Sequence, residues 1–329
     1  MRKPVPAKTI TAISLFSGCG GFDWGAARAG VEILWANDID EHAAAAYQLV
    51  LPNVTFVLDD VRNISAFPSA DLLIGCYPCT GLSLAARRRW KQNATRNLDE
   101  AEGNFLYWSF LRALKQVRPR YFIVENVVGM VTAGNGWFFD EQIRKFSGAG
   151  YRVAYAILNA GDYGVAQSRK RVFIVGLRKD IKDFVYTFPL TTHGPKRQVP
   201  YVTLRDVLGD MTTLPDDSYY DGSFHGHYLT RNRKRGWDQL SYTIVANGHH
   251  TPLHPSGSPM TFVRKDTWQL QGDINRRLSW RECAVIQGLP SNAIPSGDLF
   301  DKYRVIGSAV PPLFGERLID PIIQYEESI

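Results

Sequence analysis

The segment TAISLFSGCGG, residues 11–21, sets the fold class of this chain. Its apolar start predicts a strand at Thr11–Phe16, and the glycines that follow predict a tight turn into a helix that runs through Ala29. The same alternation continues through the first half of the chain. Further strands are expected at Val31–Ala36, Val54–Leu58, Asp71–Gly75, Tyr121–Glu125, Tyr151–Leu158 and Val172–Gly176, and helices at Glu41–Val50, Asn104–Val117 and Trp137–Gly148. This pattern predicts an α/β fold with a largely parallel sheet, whose ligands gather at the carboxyl ends of the strands.

The composition excludes several classes of protein. With 329 residues, 45% of them apolar, the chain can fill one large domain or two unequal ones. The 38 basic side chains exceed the 32 acidic ones by six, which favours a polyanionic partner. The four cysteines are too few for a disulfide framework and indicate reduced thiols in a cytoplasmic protein. No apolar run approaches the roughly 20 residues of a membrane helix, and we interpret the basic N-terminus as leading into a strand rather than as a signal peptide.

The composition changes near Lys179, where a second, loop-rich region is expected to begin. From there to Gly272 the sequence contains no Glu and a single Ala, whereas six of the seven histidines and many prolines lie there. The basic run at residues 231–235 lies beside Trp237 and Tyr242. It is either a solvated surface or a contact for phosphates and bases, and composition leaves both open.

The glycine turn indicates a nucleotide-like cofactor. The dinucleotide fingerprint G-x-G-x-x-G fails because Asp23 occupies its third glycine position. Acidic residues follow the second and third strands, at Asp38 and Asp60, where they can bind a ribose hydroxyl and an adenine amino group. This combination fits S-adenosylmethionine better than NAD. The alternative is an ordinary turn between a strand and a helix.

Two further segments carry candidate chemistry. Cys76 and Cys79 form a C-x-x-C pattern after a strand, but no further cysteines or histidines stand at zinc-binding spacing, so no metal site is predicted. Cys79 is placed like a nucleophile, and Cys76 like a small residue that ends a strand. Glu125 also lies at a strand end, where it either holds a proton for a base or caps a helix. In the run at residues 167–171 we expect one arginine to point toward this glutamate and the other away.

In this order, these motifs resemble those of the bacterial and archaeal DNA (cytosine-5)-methyltransferases of restriction–modification systems. The resemblance covers nearly the whole chain apart from the variable region between Arg178 and about Gly272. It rests on LFSGCGG at 15–21, Pro78-Cys79, Glu125-Asn126-Val127, Gln167-x-Arg169-x-Arg171, RLSWRECA at 277–284 and YRVIGSAVP at 303–311. Within the variable region, residues 231–233, 241–244 and 253–255 are similar to those of the subgroup that modifies GGCC sites.

The resemblance implies a Rossmann-like S-adenosylmethionine-dependent methyltransferase sheet with a smaller target-recognition domain. Residues 1–178 would form the catalytic domain, completed by 303–329, and residues 179–302 the target-recognition domain. The substrate would be double-stranded DNA, and the protein would act as a cytoplasmic monomer. A cognate restriction endonuclease is possible, although not as a stable partner.

The resemblance also assigns roles to individual residues. Cys79 would attack C6 of a flipped cytosine, Glu125 would bind its N3 and amino group, and Arg171, less surely Arg169, would steady the glutamate. The implied cofactor residues are Phe16, Gly18, Gly20, Gly21, Asp38, Ile39, Asp60, Val61, Pro78, Phe105, Ser308 and Val310. The implied DNA-binding residues are Ser83, Arg87, Arg88, Arg89, Arg231, Arg233 and Arg235.

The chain departs from the family pattern at several positions. Ser14 replaces a frequent Asp, Thr80 a Gln, Leu82 a Phe, Glu102 an Arg and Ser308 an Asn. None of these removes a group that bonds to the base, but Thr80 and Ser308 are expected to affect activity most. The competing interpretations are an RNA methyltransferase of the same fold, a non-catalytic DNA-binding protein and, more distantly, a NAD-dependent oxidoreductase.

Overall fold

A seven-stranded sheet forms the centre of the structure, a computed structural model that describes residues 9–78, 105–209 and 218–329. Its strands are β1 (Thr11–Leu15), β2 (Glu32–Asp38), β3 (Thr55–Leu58), β4 (Leu72–Gly75), β5 (Tyr121–Val127), β6 (Tyr151–Asn159) and β7 (Lys170–Arg178). They lie in the order β3-β2-β1-β4-β5-β7-β6. The first five are parallel, and β7 runs antiparallel to both of its neighbours. The strand order reverses between β1 and β4, which places a ligand crevice at the carboxyl ends of these two strands.

Helices cover both faces of this sheet. The helices of the described residues are α1 (Gly21–Arg28), α2 (Glu41–Val50), α3 (Tyr107–Val117), α4 (Gly129–Thr132), α5 (Trp137–Gly148), α6 (Leu204–Leu208), α7 (Trp280–Ile286), α8 (Leu299–Ser308) and α9 (Pro312–Ser328), of which α6, α7 and α8 pack in a separate cluster beside the sheet. Alternate residues of β1 point to opposite faces, so Ile13 and Leu15 pack with α3 and α5, while Ala12 packs with α1 and α9. None of the helices in the described part of the chain is long and apolar enough to cross a membrane.

The last helix returns to pack against the first one. A Cβ on Gly25 of α1 would lie 1.9 Å from the carbonyl oxygen of Pro312, and a Cβ on Gly315 of α9 would lie 2.2 Å from that of Phe22. Each helix therefore presents a glycine to the backbone of the other. This close approach brings residues 308–310 next to the turn that follows β1.

The described part of the loop-rich region contains little regular structure: α6, two short 3-10 turns, and a hairpin of β8 (Thr261–Arg264) and β9 (Thr267–Gln269). Arg277 organises the loops around it, since its guanidinium lies 4.5–4.8 Å from the ring centres of Tyr220, Phe224 and Tyr228. It also donates to the carbonyl oxygen of Gly222 at 2.6 Å. The buried Arg277 guanidinium, with its aromatic and carbonyl partners, therefore holds these loops together.

The predicted α/β fold with a largely parallel, Rossmann-like sheet is confirmed, with shifted element ends. The predicted strand Val172–Gly176 extends to Lys170–Arg178 because it pairs along both edges. Phe16 is not part of β1, since its φ of 57° starts the turn. The division at residue 179 stays a prediction. Residues on both sides of it share cores: Ile181 and Tyr186 pack with α9, and α7 packs with α2 and α8.

Candidate active site

The turn after β1 is built to leave backbone open to a ligand. Phe16 and Gly18 both have positive φ, at 57° and 56°, which reverses the chain within three residues. The Gly18 N–H donates to the Asp38 carboxylate at 2.8 Å, so β2 holds the turn in place. A Cβ on Gly18 would meet no atom within 4 Å, and the turn therefore borders free space.

Gly20 and Gly21, in contrast, serve packing. A Cβ on Gly20 would lie 2.9 Å from the ring of Tyr47, and one on Gly21 would lie 2.3 Å from the carbonyl oxygen of Val310. Sequence reasoning placed both glycines beside the cofactor. The structure instead uses them to bring α2 and the returning C-terminal segment against the turn.

The two predicted acidic residues lie at the ends of adjacent strands. Asp38 accepts hydrogen bonds from the N–H groups of Gly18 and Asp40, and burial raises the pKa of its carboxyl group. Asp60 accepts from the backbone and side chain of Arg62, and these hydrogen bonds lower its pKa. Both carboxylates therefore have fixed orientations.

A cavity of about 360 Å³ opens between these residues and the segment that returns after α8. A cavity of this size lies within the usual range for small-molecule sites. It is lined by the predicted residues Phe16, Gly18, Asp38, Ile39, Asp60, Val61, Pro78, Ser308 and Val310, and by Ser17, Phe22, Asn37, Asp40, Ala43, Asp59, Arg62, Cys76, Leu106, Glu125, Val305 and Ala309. Of the predicted cofactor residues, Gly20, Gly21 and Phe105 do not line it.

The residues that sequence reasoning missed fall into two groups. The position of Asn37 in the sequence could have indicated its place in the site, because it directly precedes Asp38. Its amide donates to the carbonyl oxygens of Val57 and Asp59, which joins the ends of β2 and β3. Leu106 directly follows the predicted Phe105, and Val305 lies within the segment 303–311 on which the resemblance rests, but sequence reasoning assigned neither side chain to the cofactor site. They reach the cavity from helical segments distant in the sequence, and only the three-dimensional fold brings them there.

Glu125 and Arg171 form an ion pair at the far end of the cavity. Glu125 lies opposite Phe173, two residues from Arg171, so both side chains point to the same face of the paired strands. The Arg171 Nε lies 2.8 Å from the Glu125 Oε1. Burial lowers the pKa of the Arg171 guanidinium, and the charge of Glu125 opposes that shift.

Arg169 has a different environment. Alternation alone would place it on the same face as Arg171, but Arg169 precedes β7 and its backbone has left the strand. Its buried guanidinium donates to the carbonyl oxygens of Ile244, Gly307 and Ala309 at 2.9–3.2 Å. The structure separates the two arginines because Arg169 lies before β7, not through the strand alternation from which the separation was expected, and Arg169 binds backbone carbonyls rather than Glu125.

Cys76 lines the cavity as a half-buried free thiol whose pKa is raised well above its usual value, first by burial and then by the Glu125 charge. This environment suppresses its reactivity. Cys79, Ser83 and Arg87–Arg89 lie outside the described residues, as do Thr80, Leu82 and Glu102. Within the described ranges, no group of three or more His, Cys, Asp or Glu side chains is placed to hold a metal ion.

The basic run has mixed surroundings. Arg231 is exposed. Arg233 donates to the carbonyl oxygens of Tyr228 and His250, and the Arg235 guanidinium lies 4.2 Å from the ring centre of Tyr242. Two of the three predicted DNA-binding arginines are therefore partly engaged within the protein.

Comparisons with known proteins identify the family of this chain. The family model described as C-5 cytosine-specific DNA methylase matches residues 10–324. The type II methyltransferase M.BsuRI of Bacillus subtilis is 38% identical over 97% of this chain and 81% of its own length. M.BspRI of Lysinibacillus sphaericus, also a type II methyltransferase, is 39% identical over 96% and 82%.

A solved structure shows the same fold. The methyltransferase EhMeth of Entamoeba histolytica superposes with a TM-score of 0.66 at 18% identity, over 97% of this chain and 99% of that one. The match of the family model to almost the entire chain, together with the two bacterial relatives, decides the classification. This chain belongs to the C-5 cytosine-specific DNA methylases.

Proposed function

We propose that the cavity binds S-adenosylmethionine, which supplies an electrophilic methyl group on a sulfonium. The lining fits this molecule. Asp38 and Asp60 offer carboxylates to ribose hydroxyls and the adenine amino group, and Phe16 and Ile39 offer apolar walls to the adenine ring. Ile39 is 68% exposed although it is apolar, which is consistent with a surface that a ligand covers. The open backbone at Gly18 leaves room for the amino-acid part.

The single observation that carries the proposed reaction is that this cavity reaches Glu125. A donor bound along β1 and β2 would then share one space with the Glu125–Arg171 pair. We assign the pair to the target cytosine. Protonated Glu125 would donate to N3 and accept from the amino group, and Arg171 would hold the carboxyl group and bind the O2 atom.

Cys79 is the proposed nucleophile. Its thiolate would form a bond to C6 of a cytosine that has left the duplex stack, which breaks the aromaticity and makes C5 nucleophilic. C5 would then accept the methyl group. Loss of the C5 proton to a base and cleavage of the bond between sulfur and C6 restore the ring and the thiolate.

The substrate is DNA, and we infer that residues 179–302 contact the duplex around the target base. Because relatives such as M.BsuRI are named type II methyltransferases, we infer a role in protecting host DNA within a restriction–modification system. A GGCC target and a monomeric enzyme without a stably bound endonuclease are further parts of this proposal.

Bisulfite sequencing of plasmid DNA from cells that express this chain tests the proposal, with Cys79→Ala as the control. Protected cytosines in one short repeated motif, absent in the control, are the expected result. Absence of protection with soluble, folded protein contradicts it. A duplex that contains 5-fluorocytosine then separates the alternatives, because only the covalent mechanism gives a denaturant-resistant adduct with DNA.

A further inference from the structure

The β8–β9 hairpin projects from the loop-rich region with little of its surface covered. All four residues of β8 are exposed, including two large apolar side chains: Phe262 is 58% and Val263 is 53% exposed. Exposed apolar side chains on a short hairpin are costly unless a partner covers them. An isolated two-stranded hairpin is also marginally stable by itself, so its persistence needs an anchor.

The anchor lies at the base of the hairpin. The Trp268 ring packs edge-on against Phe262 at 5.3 Å, and Trp268 also packs against a small cluster of Tyr228, Leu253 and Met260. These contacts cover one end of the hairpin. They leave the turn and the outer side of β8 free.

The turn carries positive charge. Residues 265 and 266 link the paired residues Arg264 and Thr267, and Asp266 has a φ of 56°. Arg264 and Lys265 have no ion-pair partner among the described residues, and the exposed Arg231 lies just beyond the segment that packs against β9. Asp266 is the acidic residue of this turn. Near this turn, Arg264, Lys265 and Arg231 thus outnumber the single carboxylate of Asp266, beside the exposed Phe262 and Val263.

Hydrogen bonds fix the loop-rich region to the segment that precedes β7. This segment lies beside the carboxyl end of β5, where Glu125 is found. Ser168 N–H donates to the carbonyl oxygen of Ser241 at 2.9 Å, and the Gln167 side chain accepts from the Ile244 N–H at 3.1 Å. Arg169 binds the Ile244 carbonyl oxygen from the same segment. The start of β7 therefore positions both Arg171 and the loops that lead toward the hairpin.

We propose that the β8–β9 hairpin is the element that enters the major groove of the substrate duplex and reads its sequence. This proposal rests on the DNA-methylating function above and assigns one part of it. A two-stranded ribbon fits the roughly 12 Å wide major groove. Arg264 is suited to guanine N7 and O6, and Lys265 to a phosphate.

Duplex binding by the double variant Arg264→Gln/Lys265→Gln tests the surface, with Arg144→Gln/Lys145→Gln on α5 as a control of equal charge. The probe is a duplex with the motif that bisulfite sequencing identifies. We expect its Kd to rise about 10- to 100-fold and its salt dependence to decrease by about one ion per lost phosphate contact. The control and the affinity for S-adenosylmethionine should remain unchanged, which shows that the hairpin variant is folded.

A modified duplex tests base reading directly. The motif contains guanine because every target cytosine has a guanine partner, and 7-deazaguanine removes the N7 acceptor from the major groove. We expect this duplex to bind the wild-type protein more weakly, and the Arg264→Gln variant to lose much less affinity on the same replacement. Equal losses in both proteins overturn the assignment of Arg264 to guanine.

Two other results also overturn the proposal. The first is a double variant that binds and methylates the motif as the wild type does, which refutes the hairpin while the methyltransferase function stands. The second is a wild-type dimer in sedimentation velocity that the variant converts to monomer with no change in duplex affinity, which makes the hairpin an interface between copies. If the wild type methylates no duplex, the proposed function itself fails.

Discussion

At the scale of single residues, the Glu125–Arg171 pair shows what sequence could and could not provide. The motifs indicated both residues, but the pair depends on the register of two antiparallel strands. A slip of one residue would turn one of the two side chains to the opposite face of the sheet. Sequence spacing within each motif does not contain that register.

Replacement of Glu125 by Gln should impair chemistry more than cofactor binding. Gln has nearly the same shape, but its amide cannot transfer a proton to the base as a carboxylic acid can. We therefore expect the single-turnover methylation rate to fall about 10²- to 10⁴-fold. Affinity for S-adenosylmethionine should change little. Glu141→Gln, which alters an exposed ion pair with Arg144, is the matched control. A Glu125 variant with the wild-type rate would remove the assigned role.

Asp23 is a buried carboxyl group next to the turn that follows β1. It accepts hydrogen bonds from the hydroxyl groups of Ser14 and Tyr47, both at 2.8 Å, and burial raises its pKa to about 6. Ser14, where the family often has Asp, therefore supplies a donor to this carboxylate. An Asp at position 14 would instead place two carboxyl groups together in the core.

Asp23→Asn should change how stability depends on pH. Because the folded protein binds this proton more tightly than the unfolded chain does, Asp23 favours folding below about pH 4, and this contribution is lost as the pH rises through about 6. We expect the wild type to lose about 2–3 kcal/mol relative to Asp23→Asn over that interval. Urea unfolding at several pH values measures the difference, and parallel profiles would contradict it.

At the scale of elements, the contact between α1 and α9 depends on glycine. Gly25→Ala places a methyl group on a carbonyl oxygen, and overpacking of this kind should lower the free energy of unfolding by about 3 kcal/mol. Gly148→Ala on α5 is the control, since a Cβ there meets no atom within 4 Å. It should be neutral or stabilise by about 0.5–1 kcal/mol. Similar effects of the two variants in thermal unfolding would contradict the packing argument.

The elements themselves were well predicted where the apolar pattern is strong. The helices Glu41–Val50 and Trp137–Gly148 have the expected ends. The sequence indicates less at turns and at residues whose surroundings depend on remote partners. Gly20 and Gly21 look like ligand-binding glycines in sequence, but Tyr47 and Val310, far along the chain, occupy the space that a side chain would need.

At the scale of the whole molecule, an ion-pair network joins the two walls of the cavity. Asp40, which caps α2 and lines one wall, pairs with Arg304 of α8, and Arg304 also binds Asp301 at 2.9 Å. The same helix lines the other wall through Val305 and Ser308. His42 adds a contact with Ser296 at 2.9 Å. This arrangement sets the width of the cavity.

Arg304→Gln should weaken cofactor binding without changing the chemical step. Because the pair is partly exposed, we expect a moderate rise of about three- to tenfold in the Kd for S-adenosylmethionine, with an unchanged rate at saturation. Arg317→Gln, in an ion pair with Asp320 on α9, is the control. Calorimetric titration measures both, and equal affinities in the two variants would exclude a positioning role for Arg304.

The order in which the ribosome makes this chain gives the returning segment a further meaning. The first lining residues of the cavity follow β1 and β2, but another wall comes from residues 305–310, which are translated long after those strands. A nascent chain therefore lacks part of the cavity until the segment 305–310 has been made. We expect polypeptides that are released early, without α8 and α9, to lack that wall and to be unable to methylate DNA.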